Sequence, residues 1–199
     1  GTFSQAVAAI LHHMGFQTIV TGASDVNGIY EAIQIGADLI FLADDDRFIG
    51  INRLNGRISE NNLSTVKGYI TALEQMAGLL SGQRVLVLGY GALGKIAVQI
   101  LMEKGAVPLV YDIDEVKTAC LDKDMFLPDI GQMKDYPLVF DASNGGAWVR
   151  EEMLHHEFWM AAPGIPLSLS DDLYNKYRHR IIHDWLQLGT AVMMGDLCK

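Results

Sequence analysis

The stretch Arg84–Gly94, RVLVLGYGALG, constrains this chain more than any other. Five residues that read as a buried strand run directly into Gly89-Tyr90-Gly91-Ala92-Leu93-Gly94. G-x-G-x-x-G spacing alone is common. Here it follows a strand, opens a helix predicted over 91–104 and leads to a second strand, VPLVYD. Gly89 permits the tight turn, Gly91 lets the backbone approach a pyrophosphate, and Gly94 lets helix and strand pack closely. The helix N-terminus, reached through Tyr90, Ala92 and Leu93, offers unpaired N–H groups and the positive end of its dipole to the phosphates. Asp112 ends the second strand, 18 residues beyond Gly94, where a carboxylate takes the adenosine ribose hydroxyls and repels a 2′-phosphate. Ile113 stands beside it in the cofactor-binding set, Asp114 follows, and no arginine does, which favours NAD over NADP. FAD and S-adenosylmethionine are the alternative ligands of such a loop.

From Arg84 onward strand and helix patterns alternate. Strands are predicted at 84–88, 107–111, 138–141, 158–162 and 180–184, with a weak one at 125–127. That is the signature of an α/β fold with a Rossmann-type doubly wound parallel sheet. Ala142 and Ser143 follow the strand at 138–141, and Pro163-Gly164-Ile165 follows the next. In such a fold the first loop passes over the nicotinamide side; the second, two prolines around a glycine, is either a plain strand-end turn or a rigid turn whose backbone faces the nicotinamide ring.

Before the glycine loop the pattern is that of a small α/β lobe with a hairpin. A helix is expected over Thr2–Met14, ended by Gly15, and a short strand over Phe16–Val20. Asp25 is positioned to cap a second helix that Gly36 ends, and a strand follows over Asp38–Ala43. Strand, helix and strand in that order predict a parallel pair. Asn55-Gly56 marks a hairpin turn. A long helix from about Asn62 or Ser64 to Leu80, stopped by Ser81-Gly82, bridges two lobes, and a terminal helix over Leu188–Leu197 returns to the first. The expected domains are 1–63 with 187–199, carrying substrate and catalytic groups, and 64–186, carrying the cofactor.

Half of the 199 residues are apolar, enough for a real core, and the formal charge of -9 argues against nucleic acid and anionic membrane surfaces. No apolar run is long enough to span a bilayer. Cys120 and Cys198 lack metal-site spacing and read as reduced thiols of a cytoplasmic protein. The pairs His12-His13 and His155-His156 point their rings apart on helices, so no metal site is expected.

The run ADLIFLA stops in Asp44-Asp45-Asp46. Three adjacent carboxylates repel one another, so either solvent or a cationic ligand offsets the cost. With a nicotinamide cofactor, the second option is an amine substrate. Loss of hydride from an amine carbon needs a neutral nitrogen and creates an iminium cation; a carboxylate serves both needs. Asp44 and Asp45 are the catalytic candidates. Asn61 and Asn62 either cap the long helix or bind the amino-acid end of a substrate. No G-x-S-x-G elbow or P-loop lysine is present. The residues alone thus give an NAD-linked dehydrogenase with a cationic substrate.

Taken together, TGASDVNGIYEAIQIGADLIFLADDDRF, NGRISENN, VLVLGYGALG, AAPGIP and the terminal LGTA resemble the PylD family over nearly the whole chain. That family catalyses the last step of pyrrolysine biosynthesis. The resemblance implies NAD-dependent oxidation of the terminal amine of 3-methyl-D-ornithyl-N6-L-lysine, a small dipeptide-like substrate, with ammonia release and ring closure, by a homodimer. It places Asp44 at the reacting amine, Asp45 beside it, Asn61 or Asn62 at the amino-acid end, and Ser4 at the edge of the substrate site. It also implies a leader before Gly1 that helps to enclose substrate. Another amino-acid or imine dehydrogenase, for example a dipicolinate-synthase-like protein, and a non-catalytic NAD-binding module are the alternatives.

Overall fold

A computed structural model describes residues 2–199, which divide into two compact units: 2–65 with 186–199, and Val66–Trp185. The first holds α1 (Phe3–His13), α2 (Asp25–Gln34), β1 (Leu39–Ala43), β2 (Phe48–Asn52), β3 (Ile58–Glu60) and the start of α3 (Asn61–Ala77). The second holds the rest of α3, then β4 (Arg84–Leu88), α4 (Ala92–Glu103), β5 (Val107–Tyr111), α5 (Glu115–Thr118), β6 (Leu138–Asp141), β7 (Trp159–Ala161), α6 (Asp171–Tyr177) and β8 (Ile181–Ile182). The chain ends in α7 (Gln187–Leu197), within the first unit.

In the first unit α1 starts from a capping box: Gln5 N–H donates to Thr2 Oγ1, and Thr2 N–H donates to Gln5 Oε1. Val7 and Leu11, four residues apart on one face, join Phe48 of β2 and Met193 and Met194 of α7 in a small core. Gly50 makes room in β2 for α7: a Cβ there would lie 2.7 Å from Leu197 Cδ1. The buried Asn52 side chain donates to the Leu197 carbonyl at 3.0 Å, satisfying an acceptor that the end of α7 leaves unpaired.

Three expectations for this unit need correction. β1, β2 and β3 form an antiparallel sheet in that order, not a parallel pair with a crossover helix. The predicted strand at 16–20 does not form. Its apolar residues pair with no strand, and Ile19 is 73% exposed, so a short apolar run was not enough to specify a ladder partner. Asp25 does not cap α2. It is the helix's first residue, at φ +53°, and Ser24 takes the cap position without a side-chain bond. Glu31 serves the preceding loop instead, its Oε2 accepting from the N–H groups of Gly22 and Ala23 at 3.0 and 3.1 Å.

The second unit is a parallel five-stranded sheet in the order β5-β4-β6-β7-β8. Val85, Leu86, Val87 and Leu88 are wholly buried, as a sheet covered on both faces demands. Each such side chain contributes about 1.5–3 kcal/mol relative to exposure. The α3 residues Val66, Ile70 and Leu73 are likewise buried, on one helical face. α3 stops at Ala77, before the predicted Leu80, because Gly78 turns the chain at φ +90°. The weak strand at 125–127 is a 3-10 turn over Lys123–Met125 followed by a single bridge from Phe126 to Val110. β5 is thus extended by one contact rather than by a ladder.

Candidate functional site

The chain passes from β4 to β5 on one side and later to β6 on the other, so the C-terminal ends of β4 and β6 border a topological switch point, the usual ligand crevice of such sheets. Gly89 leaves β4 at φ +85°, and a Cβ there would come within 2.8 Å of the Ala142 carbonyl. Gly94 is constrained further, since a Cβ would overlap the Gly89 carbonyl oxygen. Gly91 is the N-cap of α4; no side chain caps the helix, and a Cβ at Gly91 would meet nothing within 4 Å. Uncapped N–H groups below open space are what a phosphate requires. Ala92 is exposed, and Leu93 and Tyr90 are half-buried beside that opening.

Asp112 is 8% exposed at the end of β5. Its Oδ2 accepts from the Tyr90 N–H at 2.6 Å and its Oδ1 from the Asp114 N–H at 2.8 Å, so it ties the glycine loop to the β5 turn. Ile113, next to it, is 91% exposed, an apolar side chain suited to covering a ring. Sequence reasoning missed Lys117, which approaches Asp112 Oδ1 at 3.8 Å and Asp114 Oδ2 at 3.9 Å. No Lys or Arg stands at 113–116 to signal it; the first turn of α5 folds it back.

Ala142 and Ser143 follow β6, and Pro163, Gly164 and Ile165 follow β7 with its neighbour Ala162. Ala142 N–H donates to the Leu88 carbonyl at 2.8 Å, and Gly164 N–H to the Asp141 carbonyl at 3.0 Å. A Cβ at Gly164 would overlap the Ser143 carbonyl oxygen. Segment 141–143 therefore lies pressed between Gly89 and Gly164. Ile165 is half-exposed. These residues fit a dinucleotide: an open helix N-terminus for phosphates, a carboxylate at the end of β5, and exposed Ile113 and Ile165.

In the first unit Asp44, Asp45 and Asp46 occupy the tight turn between β1 and β2. Asp44 Oδ1 accepts from the N–H groups of Asp46 and Arg47 at 2.9 and 2.7 Å, and Asp44 N–H donates to the Arg47 carbonyl at 2.9 Å. The Arg47 and Asp46 amides hold this exposed carboxyl below the usual aspartate value. Asp45 is exposed beside it. Asn61 Oδ1 accepts from Thr65 Oγ1 at 3.3 Å, and a Cβ at Gly189 of α7 would lie 2.8 Å from that same Asn61 oxygen. Asn62 is half-buried, and Ser4 is exposed in the first turn of α1. Thus the cofactor candidates converge within the second unit. Within the first, Asn61 meets α7 and the aspartates sit at a hairpin tip. Nothing in the letters singles out Gly189 beyond its place in LGTA.

The description "Pyrrolysine biosynthesis protein PylD, N-terminal domain" belongs to the family model that matches residues 1–59. The chain is 33% identical over 197 residues to the pyrrolysine synthase of Methanosarcina barkeri, covering 98% of this chain and 74% of that one. Among solved structures it is similar to the shikimate 5-dehydrogenase of Thermus thermophilus, with a TM-score of 0.57 at 14% identity over 98% of this chain and 94% of the other. It is also similar to the dipicolinate synthase A chain of Bacillus subtilis, with a TM-score of 0.56 at 18% identity over 69% of this chain and 49% of the other. At such identities the two structures speak for the fold alone.

Proposed function

The chain belongs to the PylD family of pyrrolysine biosynthesis proteins, and we propose that it oxidises the terminal amine of 3-methyl-D-ornithyl-N6-L-lysine with NAD. The observation that carries the redox part of this reading is the open, uncapped start of α4 beneath the glycine loop, with Asp112 at the end of β5. Gly89, Tyr90, Gly91, Ala92, Leu93 and Gly94 hold the pyrophosphate; Asp112 and Ile113 hold the adenosine end. Ala142, Ser143, Pro163, Gly164 and Ile165 line the nicotinamide half. Bound there, NAD supplies a two-electron acceptor for hydride.

The substrate ammonium first gives up a proton, which Asp44 takes, with Asp45 sharing the charge. The lowered Asp44 value keeps its carboxylate ionised and makes it a weaker base, so it holds the proton only in passing and hands it to solvent. The amine carbon then loses hydride, and the two carboxylates stabilise the resulting iminium. Water adds to the iminium carbon and ammonia leaves, giving an aldehyde. The remaining α-amine attacks that aldehyde and water departs, closing the five-membered pyrroline. Asn61 or Asn62 holds the amino-acid end, with Ser4 at the site's edge. Because closure is intramolecular, holding the substrate folded raises the effective concentration of the amine.

The test combines the purified chain with NAD⁺ and the dipeptide and follows NADH, ammonia and product mass. All three should rise in step. Asp44→Asn should keep NAD binding and lower turnover by about 10²-fold or more. Undiminished turnover by that variant removes Asp44 from the chemistry, and an inert wild-type chain removes the reaction.

A further inference from the structure

Asp141 ends β6 and is wholly buried, at 0% exposure. Among the described residues no cation pairs with it. Its Oδ1 accepts from Ser143 N–H at 3.0 Å and Ser143 Oγ at 2.7 Å, and Trp148 Nε1 donates to that same Ser143 oxygen at 3.2 Å. Its Oδ2 is buried without a partner, and so is the hydroxyl of the fully buried Ser168, which lies against this carboxyl. One further titratable group acts on it, His183 at the end of β8. His183 Nδ1 stands 2.7 Å from the Ala162 carbonyl, which can only accept, so Nδ1 carries the proton and fixes the ring. The Ser168 hydroxyl, donor and acceptor at once, can satisfy Oδ2 in either protonation state; what favours the protonated acid is a carboxyl at 0% exposure with no cation among the described residues to balance a charge there.

We propose that Asp141 is a positioning residue that works as an uncharged acid. Its Oδ1 grips Ser143, the hydroxyl on Oδ2 donates to Ser168, and the strap Ala142-Ser143 is thereby fixed between the Gly89 turn, at the pyrophosphate, and the Gly164 turn, at the nicotinamide half of the cofactor. This rests on the dinucleotide reading of the crevice. Burial raises the Asp141 carboxyl, in keeping with the uncharged form. Asparagine has the same shape and the same set of bonds: its oxygen accepts from Ser143 and its amide donates to Ser168. Alanine has neither.

The experiment compares wild type, Asp141→Asn and Asp141→Ala by NADH fluorescence titration and by Tm between about pH 5 and 9. Asp141→Asn should bind NADH like wild type, and Asp141→Ala about tenfold more weakly. The Tm comparison has a definite sign. An acid whose folded pKa is raised stabilises the fold fully below its unfolded pKa, and this contribution is lost as pH climbs through the folded value. The Tm of Asp141→Asn should therefore gain on that of wild type as pH rises. Binding by Asp141→Asn as weak as that of Asp141→Ala, or a Tm difference that does not change with pH, overturns the uncharged acid. Wild type that binds no NADH sinks the cofactor reading and the positioning role with it, whereas wild type that binds while Asp141→Asn fails sinks Asp141 alone.

Discussion

Asp44 shows how one side chain can close a turn and still be free for the chemistry proposed for it. One carboxylate oxygen closes the β1–β2 hairpin through two backbone N–H groups, while the residue stays exposed. This explains at least one member of an otherwise repulsive triplet. Because its folded pKa is lowered, its support for the hairpin is present above the ordinary aspartate value and is lost as acid titrates it through the lowered one. Asparagine keeps the accepting oxygen and removes the charge; alanine removes both. Thermal melts at neutral pH should thus show Asp44→Asn close to wild type and Asp44→Ala lower, and equal melting of all three would deny the turn its role. An aspartate accepting from residues two and three ahead is a local pattern that the letters contain. The burial of Asp141 is not local. VFDAS reads as a strand running into a loop, and nothing in it announces that Ser168 and His183 arrive from far along the chain.

At the scale of elements, α7 tests close packing. A Cβ at Gly189 would overlap Thr65 Oγ1 and crowd Asn61, whereas a Cβ at Gly195 of the same helix would meet nothing within 4 Å. Ala is favoured over Gly in a helix by about 1 kcal/mol, while overpacking costs about 1–3 kcal/mol. Urea unfolding should accordingly find Gly195→Ala stabilised and Gly189→Ala destabilised; two gains would show that α3 and α7 have slack between them. In the second unit β4, β5 and β6 were legible because each is a short apolar run bounded by glycine, proline or acid, and they fall where the pattern put them. The first unit was less so. FQTIV and DLIFLA look alike as letters, yet only the second finds a partner, and the direction of pairing is set by the tight Asp44–Arg47 turn rather than by apolar spacing.

At the scale of the whole chain, the formal charge of -9 argues against nucleic acid and anionic membrane surfaces, and among the described residues no helix is long and apolar enough to cross a membrane. If the glycine crevice takes the dinucleotide, hydrogen exchange with saturating NADH should slow at 88–95, 111–114 and 141–145 and stay unchanged along 39–60. Slowing confined to 39–60 would place the ligand elsewhere. The first unit is also discontinuous, since Met193, Met194 and Leu197 pack with Val7, Leu11, Phe48 and Gly50 from the opposite end of the sequence. A ribosome releases those two halves of one core far apart in time. The sheet of Val66–Trp185 has all its strands while the earlier segment still waits for its closing helix. A premature stop codon after Trp185 would accordingly leave the nearest neighbours intact and expose the apolar side of α1, residues synthesised long before.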